Sequence, residues 1–600
     1  MNRLYIVIFL ISSYVAVQAQ TVNTDFGKNR IQYHDDFEDW WMYESENFIT
    51  YWYGKARKVA ETVVQLSEYD NDEIQNLLEH RINDKIEIIV YTDLTDLKQS
   101  NIGSEETFNT QTGQTKIVGR KIFVYFNGDH QHLRKQIRQG VASVYLDAML
   151  EGANLQEIVQ NAVMSNLPDW YREGVISYIG AEWDEEIDDE FRSIFMSEKR
   201  KFKKYKNFNR FSRDYPRIAG HSFWYFMGVT YGKTTISNLL YLTRINRSLP
   251  SGIVYVLGTS YESLLEEWKA FYEKRYEVDM INFVAMDESG KLKFKHKKDH
   301  VISKLKMSPD GNAILYVVND VGKQRVFLYD KFNDRTELVF KSGFRNNVQQ
   351  TDFDYPLIAW REDSKEIAVL FEKRDEAYLL RYNLEEGVQI EDKLSPEYQR
   401  VYSMDYLNEI ELIFSANIDG YSDLFIYDWK QRNSERISND FFDDMDVQVI
   451  RNADFNGVLF VSNRNNESLL RQKLDTIMPV DDFDLFFLDL SKIPYAINRL
   501  ARTENINERQ VQVGANNELF FISDQSGILS MAKSSIEEYL SHNDKKITLI
   551  DGSEIILHED STLASLNDSL IETTELIPVY KFRTSIPTFE HLRSNMLSIT

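Results

Sequence analysis

The stretch Met307-Ser308-Pro309-Asp310-Gly311-Asn312-Ala313-Ile314-Leu315-Tyr316 decides how the second half of the chain is read. It holds the end of one strand, a Pro-Asp-Gly turn and the start of a second strand. The Asp-Gly pair supplies the positive φ that a tight hairpin needs. A third strand, Arg325-Val326-Phe327-Leu328-Tyr329-Asp330, follows. The same layout returns at Trp360-Arg361-Glu362-Asp363-Ser364-Lys365-Glu366-Ile367-Ala368-Val369, displaced by 53 residues. It returns again from Met404 to Asp428, from Gly457 to Asp489 and around Glu518-Leu519-Phe520-Phe521-Ile522-Ser523-Asp524.

Repeats of roughly 40–60 residues with four short strands each must bury their faces on one another, which predicts a β-propeller. Five blades are recognisable and six are expected. The stretch from Ile547 to Thr600 keeps strands such as Glu554-Ile555-Ile556-Leu557 but loses the repeat. It reads either as a last blade or as the start of a further region.

Upstream the period changes. Strand patterns occur at Asn47 to Tyr53, Lys85 to Tyr91 and Lys121 to Phe126, with a helix at Lys55 to Gln65 carrying Val59, Val63 and Leu66 on one face. Asp70-Asn71-Asp72 reads as an N-cap cluster before Ile74 to Leu78. From His132 to Leu150, apolar side chains at Leu133, Ile137, Val141, Val144, Tyr145 and Ala148 form a helical stripe. A second helix is predicted from Pro168 through Tyr178, and others at Ser222 to Thr230, Thr235 to Leu242 and Tyr261 to Tyr276. The fold class is multidomain: an α+β domain followed by an all-β propeller. Four segments result: 1–19, 20–280, 281–560 and an unassigned 561–600.

The first of these is a signal peptide. Arg3 precedes an apolar core from Leu4 to Val17, and Val17-Gln18-Ala19 has the small-residue spacing of a cleavage site before Gln20. The mature protein is expected to be exported and soluble, or at most peripherally attached to the outer membrane.

Composition narrows the function. With 69 Lys plus Arg against 94 Asp plus Glu, the net charge of −25 argues against nucleic acid as a partner. Hydrophobic residues at 43% are ample for packed cores in a 600-residue chain. Cysteine is absent, so disulfides, thiolate metal sites and a cysteine nucleophile are excluded, and ten histidines remain as nitrogen ligands. Lys199-Arg200-Lys201-Phe202-Lys203-Lys204-Tyr205-Lys206 is a basic patch with two aromatics, read as an electrostatic docking surface. Asp440-Phe441-Phe442-Asp443-Asp444-Met445-Asp446 offers calcium-type oxygens but lacks the glycine and terminal glutamate of an EF-hand loop. It is expected to be a solvated loop between blades. Ser143 and Ser177 have no His and Asp that sequence alone places beside them.

The 132–150 helix and Leu167-Pro168-Asp169-Trp170-Tyr171-Arg172-Glu173-Gly174-Val175-Ile176-Ser177-Tyr178 together resemble the core of the gluzincin metallopeptidases, specifically the peptidase MA-like group. In that family the first helix carries His-Glu-x-x-His and the second carries the third ligand in Trp-(aromatic)-x-Glu-Gly. Histidines at i and i+4 can grip one zinc while the adjacent glutamate serves as general base. Here Gln139 stands at the first histidine, Gly140 at the glutamate and Ser143 at the second histidine; only Glu173 matches. An amide and a hydroxyl are poor zinc ligands, and glycine moves no proton. His130 and His132 lie about two turns upstream of these positions. The resemblance therefore implies an inactive pseudopeptidase, with no catalytic residue, no metal and no cofactor. Glu173 is expected to cap its helix or to pair with Arg138 or Arg172.

The repeats resemble those of TolB-type propellers, with Glu362-Asp363-Ser364 where Pro-Asp-Gly is usual. The combination is similar to large cell-envelope proteins of Bacteroidota. It implies a periplasmic or outer-membrane-associated, non-catalytic scaffold whose partners are other envelope proteins, a subunit of an envelope assembly or export complex. The alternative is a zinc peptidase with a non-standard ligand set that includes Glu173. Glycan binding by the propeller stays open.

Overall fold

The computed structural model describes residues 39–99, 116–118, 120–151, 167–197, 200–282, 300–345, 351–418, 420–451, 455–472, 482–514, 518–558 and 571–589, with 292, 294, 296, 297 and 480. The expected signal peptide and its cleavage site fall outside these residues, as do Lys199, 561–570 and 590–600.

The first domain is built on a five-stranded sheet of β1 (Trp40–Glu44), β2 (Phe48–Tyr53), β3 (Ile86–Tyr91), β4 (Lys116–Val118) and β5 (Lys121–Tyr125), in the order β1-β2-β3-β5-β4. The central strands β2, β3 and β5 are parallel and the two edges antiparallel. A parallel pair needs a crossover, and α1 (Arg57–Leu78) supplies it between β2 and β3. The short α2 (Leu94–Gln99) follows β3, and α3 (His130–Glu151) follows β5. The rest is helical: α4 (Asp169–Gly180), α5 (Glu185–Phe195), α6 (Phe208–Asp214), α7 (Pro216–Tyr231), α8 (Thr234–Asn246), α9 (Leu249–Leu257) and α10 (Tyr261–Asn282). One core joins the sheet face (Phe48, Ile88, Val124) to Leu133, Ile137 and Val141 of the predicted stripe and to Trp224 and Trp268.

One expected boundary does not exist. Asp70-Asn71-Asp72 is the interior of α1, not a cap. Asp70 and Asn71 are buried because α3 supplies partners: Asp70 accepts from Arg134 Nη2 (2.6 Å) and Arg138 Nη1 (2.7 Å), and Tyr145 Oη donates to Asn71. Long-range pairing overrides the local capping preference of these residues.

The second half forms successive four-stranded antiparallel sheets. Sheet 1 holds β6 (Val301–Met307), β7 (Ala313–Asp320), β8 (Lys323–Asp330) and β9 (Arg335–Ser342). Sheet 2 holds β10 (Leu357–Trp360), β11 (Glu366–Glu372), β12 (Ala377–Asn383) and β13 (Val388–Lys393). Sheet 3 holds β14 (Arg400–Tyr406), β15 (Glu411–Asn417), β16 (Ser422–Asp428) and β17 (Asn433–Arg436). Sheet 4 holds β18 (Asp444–Arg451), β19 (Asn456–Ser462), β20 (Asp484–Asp489) and β21 (Ala496–Arg499). The first strands of neighbouring sheets pack side by side, β6 on β10, β10 on β14, β14 on β18, β18 on β22 (Glu508–Val513). This is a β-propeller-like array. Its turns behave as the repeats predict: Gly311 sits at φ +72°, and Ser364, in the degenerate copy, takes the same left-handed conformation at +59°.

Sheet 5 departs from the pattern. β22 and β23 (Glu518–Ser523) pair normally, but β24 (Ser530–Leu549) runs for 20 residues. Only its first part, Ser530 to Ser535, pairs with β23. The remainder leaves the sheet as an arm with β25 (Glu554–Leu557) and β26 (Ile571–Thr584). The chain then returns, and β27 (Thr588–Phe589) adds beside Ala532 and Lys533 as the fourth strand of sheet 5. Among the described residues there are five such sheets. The described part of the segment after Ile547 contributes to an arm and an edge strand.

The first domain seats on one end of the array through a buried polar seam. The His130 N–H and Nδ1–H both donate to the Asp443 carboxylate (2.9 and 2.7 Å), and both side chains are fully buried. Ser422 Oγ donates to Gly128 O (2.6 Å), and Thr95 Oγ1 to Glu372 Oε2 (2.5 Å). The innermost strands start at this seam, at Arg400, Asp444 and Glu508, and run toward the opposite end.

Candidate functional site

Two regions compete as the site: the helices that carry the peptidase-like positions, and the free end of the array. In the helices, every matched position is packed. Gln139 and Ser143 are buried on α3. At Gly140, a Cβ would lie 2.3 Å from Ile122 of β5, so this position faces the sheet rather than a cleft. At Gly180, a Cβ would lie 2.5 Å from Cγ of Gln139. Arg172 near the start of α4 pairs with Asp147 near the end of α3, so the two helices run antiparallel. Glu173 is thus seven residues from the Gly180 level, ~10 Å along the helix axis at 1.5 Å per residue. The structure does not bring Glu173 together with Gln139.

The expected partners of Glu173 are also taken. Arg138 is engaged by Asp70, Glu73 and the Ile179 carbonyl, and Arg172 by Asp147. Glu173 is half-buried; burial pushes its carboxyl above the usual carboxylate range and Asp169 adds to this, against the pull of Arg217 and Arg172. The neighbouring motif residues do packing work. Trp170 meets Phe208 and Phe223 edge-on, and Gly174 lies against Gly220 of α7, where a Cβ on Gly220 would sit 1.9 Å from the Trp170 carbonyl oxygen. Trp170 and Gly174 are therefore required by a close helix crossing, whatever the chemistry.

His130 belongs to the interdomain seam. His132 lies in the first turn of α3, where its Nδ1 meets Gln136 Nε2 (3.1 Å) and its ring meets Tyr125. Ser177 does find a histidine that sequence reasoning did not place: its hydroxyl donates to His221 Nδ1 (2.9 Å), and His221 Nε2 donates to the Glu182 carbonyl (2.8 Å). No carboxylate completes the pair. Both residues are buried, and burial drives the imidazole down to about 3, which fixes it neutral. The arrangement joins α4 to α7 and is sealed from substrate.

The acidic run corrects a second expectation. It is not a solvated loop: Asp440, Asp443 and Asp444 are buried. Arg464 Nη2 contacts both Asp444 oxygens (2.5 and 2.6 Å) and Asp440 Oδ2 (3.1 Å), Arg436 pairs with Asp423, and Asp443 holds His130. The guanidinium of Arg464 fills the place a cation would take. The basic patch is likewise partly structural. Tyr205 is a core residue, Lys204 pairs with Asp214 (2.8 Å) and Lys206 with Glu273 (3.0 Å).

The free end of the array holds a cavity of about 1240 Å³. All five sheets line it, through the residues that end the first strand of each: Lys306, Trp360, Tyr406, Arg451 and Val513 among them. Its floor is tied across sheets. Trp360 Nε1 donates to the Lys306 carbonyl (3.1 Å), and Asp405 accepts from Gln448 Nε2 and the Val449 N–H (both 2.9 Å) with Lys306 Nζ at 3.9 Å. At the rim Arg451 reaches Glu362 (3.4 Å). Gln448 Oε1 is buried and has no hydrogen-bond partner, an unmet acceptor at the floor. The funnel thus combines one aromatic wall, both signs of charge and an open mouth. The signal for it was in the repeats, since the residues just before each turn occupy the same place in every copy, but it marks a position and not a ligand.

No protein-family model matches the chain, and no curated protein matches it. Solved structures similar to it include TolB from Acinetobacter baumannii, 10% identical over 48% of this chain and 57% of that one, TM-score 0.28. Prolyl oligopeptidase B from Galerina marginata is 11% identical over 43% and 46%, TM-score 0.27. The β-propeller domain of the Trilobed protease from Pyrococcus furiosus is 11% identical over 39% and 83%, TM-score 0.26. The chain spans less than two thirds of the TolB and oligopeptidase chains. The propeller-like description stands on sheet order and on the axial funnel.

Proposed function

We propose that this chain is a non-catalytic binding protein of the cell envelope, exported by its N-terminal signal and working as a subunit of an envelope assembly or export complex. In this reading the propeller-like half receives a polypeptide of a partner at its funnel, and the peptidase-like domain is a scaffold closed over the other end.

The observation that carries the proposal is the contrast in space. Gly140 packs against Ile122, Gly180 against Gln139 and Gly220 against Trp170, and Gln139 and Ser143 are buried, which supports a packing role for the metallopeptidase positions. The funnel offers about 1240 Å³ lined by polar and charged side chains from all five sheets, room for an extended polypeptide segment. Mixed charge at the funnel favours protein over nucleic acid, in keeping with the net charge of −25.

The test is an assay of the mature chain against an unstructured protein substrate, with and without added zinc and beside Glu173→Ala. No cleavage above the Glu173→Ala background is expected. Zinc-dependent cleavage abolished by that substitution would establish the peptidase alternative.

A further inference from the structure

The arm that leaves sheet 5 carries a cluster unrelated to the peptidase-like helices. His542 and Asp544 are two apart on β24, so both side chains stand on one face of the ribbon. The β24–β25 register pairs Lys545 with Leu557, and one step further it sets Asp544 opposite His558. Side chains from two strands therefore converge. The His542 and His558 rings lie 4.5 Å apart, and ligand atoms of His542, Asp544 and His558 all fall within 4.8 Å of one another.

A second observation points to a ligand. Asp544 Oδ1 is buried and accepts no hydrogen bond, although His542 Nε2 is only 3.1 Å away. Two potential ligand atoms on neighbouring side chains this close together are at the separation that sharing one cation requires. In a tetrahedral site with metal–ligand bonds of about 2.0–2.1 Å, neighbouring ligand atoms are ~3.3 Å apart, close to this separation. His542 Nδ1 meets Ser541 Oγ (3.1 Å), an outer contact that leaves Nε2 for the metal.

We infer that His542, Asp544 and His558 bind a first-row divalent metal of the zinc class, clipping β24 to β25. Two imidazoles and one carboxylate suit zinc and leave one coordination position to water or a further ligand. The physical need is plain. Beyond sheet 5 the arm is a narrow ribbon in which Ile547 is buried while Leu540, Ile556, Leu576 and Tyr580 are exposed. Ribbons without a covered face are marginal in water, and a metal bridge between strands offsets that.

The test uses the full mature chain, zinc chloride as the only probe and metal analysis after dialysis. One zinc per chain is expected, retained in Glu173→Ala and lost in both His542→Ala and His558→Ala. Asp544→Asn, which keeps the shape of the ribbon, should weaken zinc by at least the ~10–100-fold that loss of a mere outer partner costs. Zinc should also slow proteolysis between Leu549 and Ile571 in the parent chain and not in the histidine variants. No retained zinc, or zinc equally held by the histidine variants, would overturn the inference. Weak zinc that dialysis removes would mark an adventitious ion only and overturn it too. Zinc lost instead in Glu173→Ala would contradict the closed scaffold as well, so the two readings fail separately.

Discussion

The α3–α4–α7 helices, which carry the motif-like positions, and the funnel of the propeller-like array are built in opposite ways. In the helices, glycines at 140, 174, 180 and 220 let backbone and side chains approach closely around the buried Gln139 and Ser143. In the array, the first strands of the sheets run from the seam with the first domain to a cavity tied across sheets by residues that include Asp405, Trp360 and Arg451. In the function proposed above, the motif-like positions serve as packing and the funnel, where no motif is written, serves as the binding surface. Closed regions should respond strongly to substitution and the open one weakly.

The largest effect is expected at the seam. Asp443→Ala removes the carboxylate that accepts two buried hydrogen bonds from His130 and, at ~1.5–3 kcal/mol for each bond to a charged group, should cost about 3–5 kcal/mol. Chemical denaturation would read the loss, with the halves unfolding separately where the parent unfolds as one. Next comes Gly220→Ala, which forces a methyl against the Trp170 carbonyl; overpacking against backbone places it near the upper end of the usual range, ~3 kcal/mol. Unfolding followed by tryptophan fluorescence would report it, and a change under ~0.5 kcal/mol would break the comparison. Glu362→Ala at the funnel rim, whose side chain is 73% exposed, should stay within about 0.5 kcal/mol.

A pH effect sharpens the same contrast within the array. Burial, with Asp484 nearby, raises Glu508 to about 8 from 4.5. A carboxyl whose folded value lies above its unfolded one contributes stability that is complete below pH 4.5 and lost as pH rises through about 8. Glu508→Gln should therefore flatten the fall in denaturation midpoint between pH 5 and 8. His221 acts oppositely: held to about 3, it contributes stability above pH 6.5 that is lost as pH falls toward 3.

Local periodicity made the larger elements legible. The 132–150 stripe became α3 with Leu133, Ile137 and Val141 in the core, and the Pro-Asp-Gly copies became turns between strands. What sequence hid depends on distant partners. Asp443 looks solvated until His130, 313 residues away, is placed on it, and Asp444 until Arg464 is. Asp70 suits a cap until Arg134 and Arg138 arrive from another helix. The matched positions at Gln139 and Glu173 could be aligned from sequence, but their levels on two antiparallel helices could not. The funnel was only half legible: the repeats mark which residues end the first strand of each copy, but the radial arrangement that gathers four or five residues from each copy around one cavity depends on long-range packing.

The most direct test of the contrast is site-specific photo-crosslinking in envelope fractions of cells making the full chain. A photoreactive residue would be placed in turn at Glu362, Arg451 and Gln512 of the funnel, and at Asp169, Arg172 and Glu173 of α4. The account predicts adducts of one common mass from the funnel positions and none from α4. Adducts from the α4 positions with none from the funnel would contradict it.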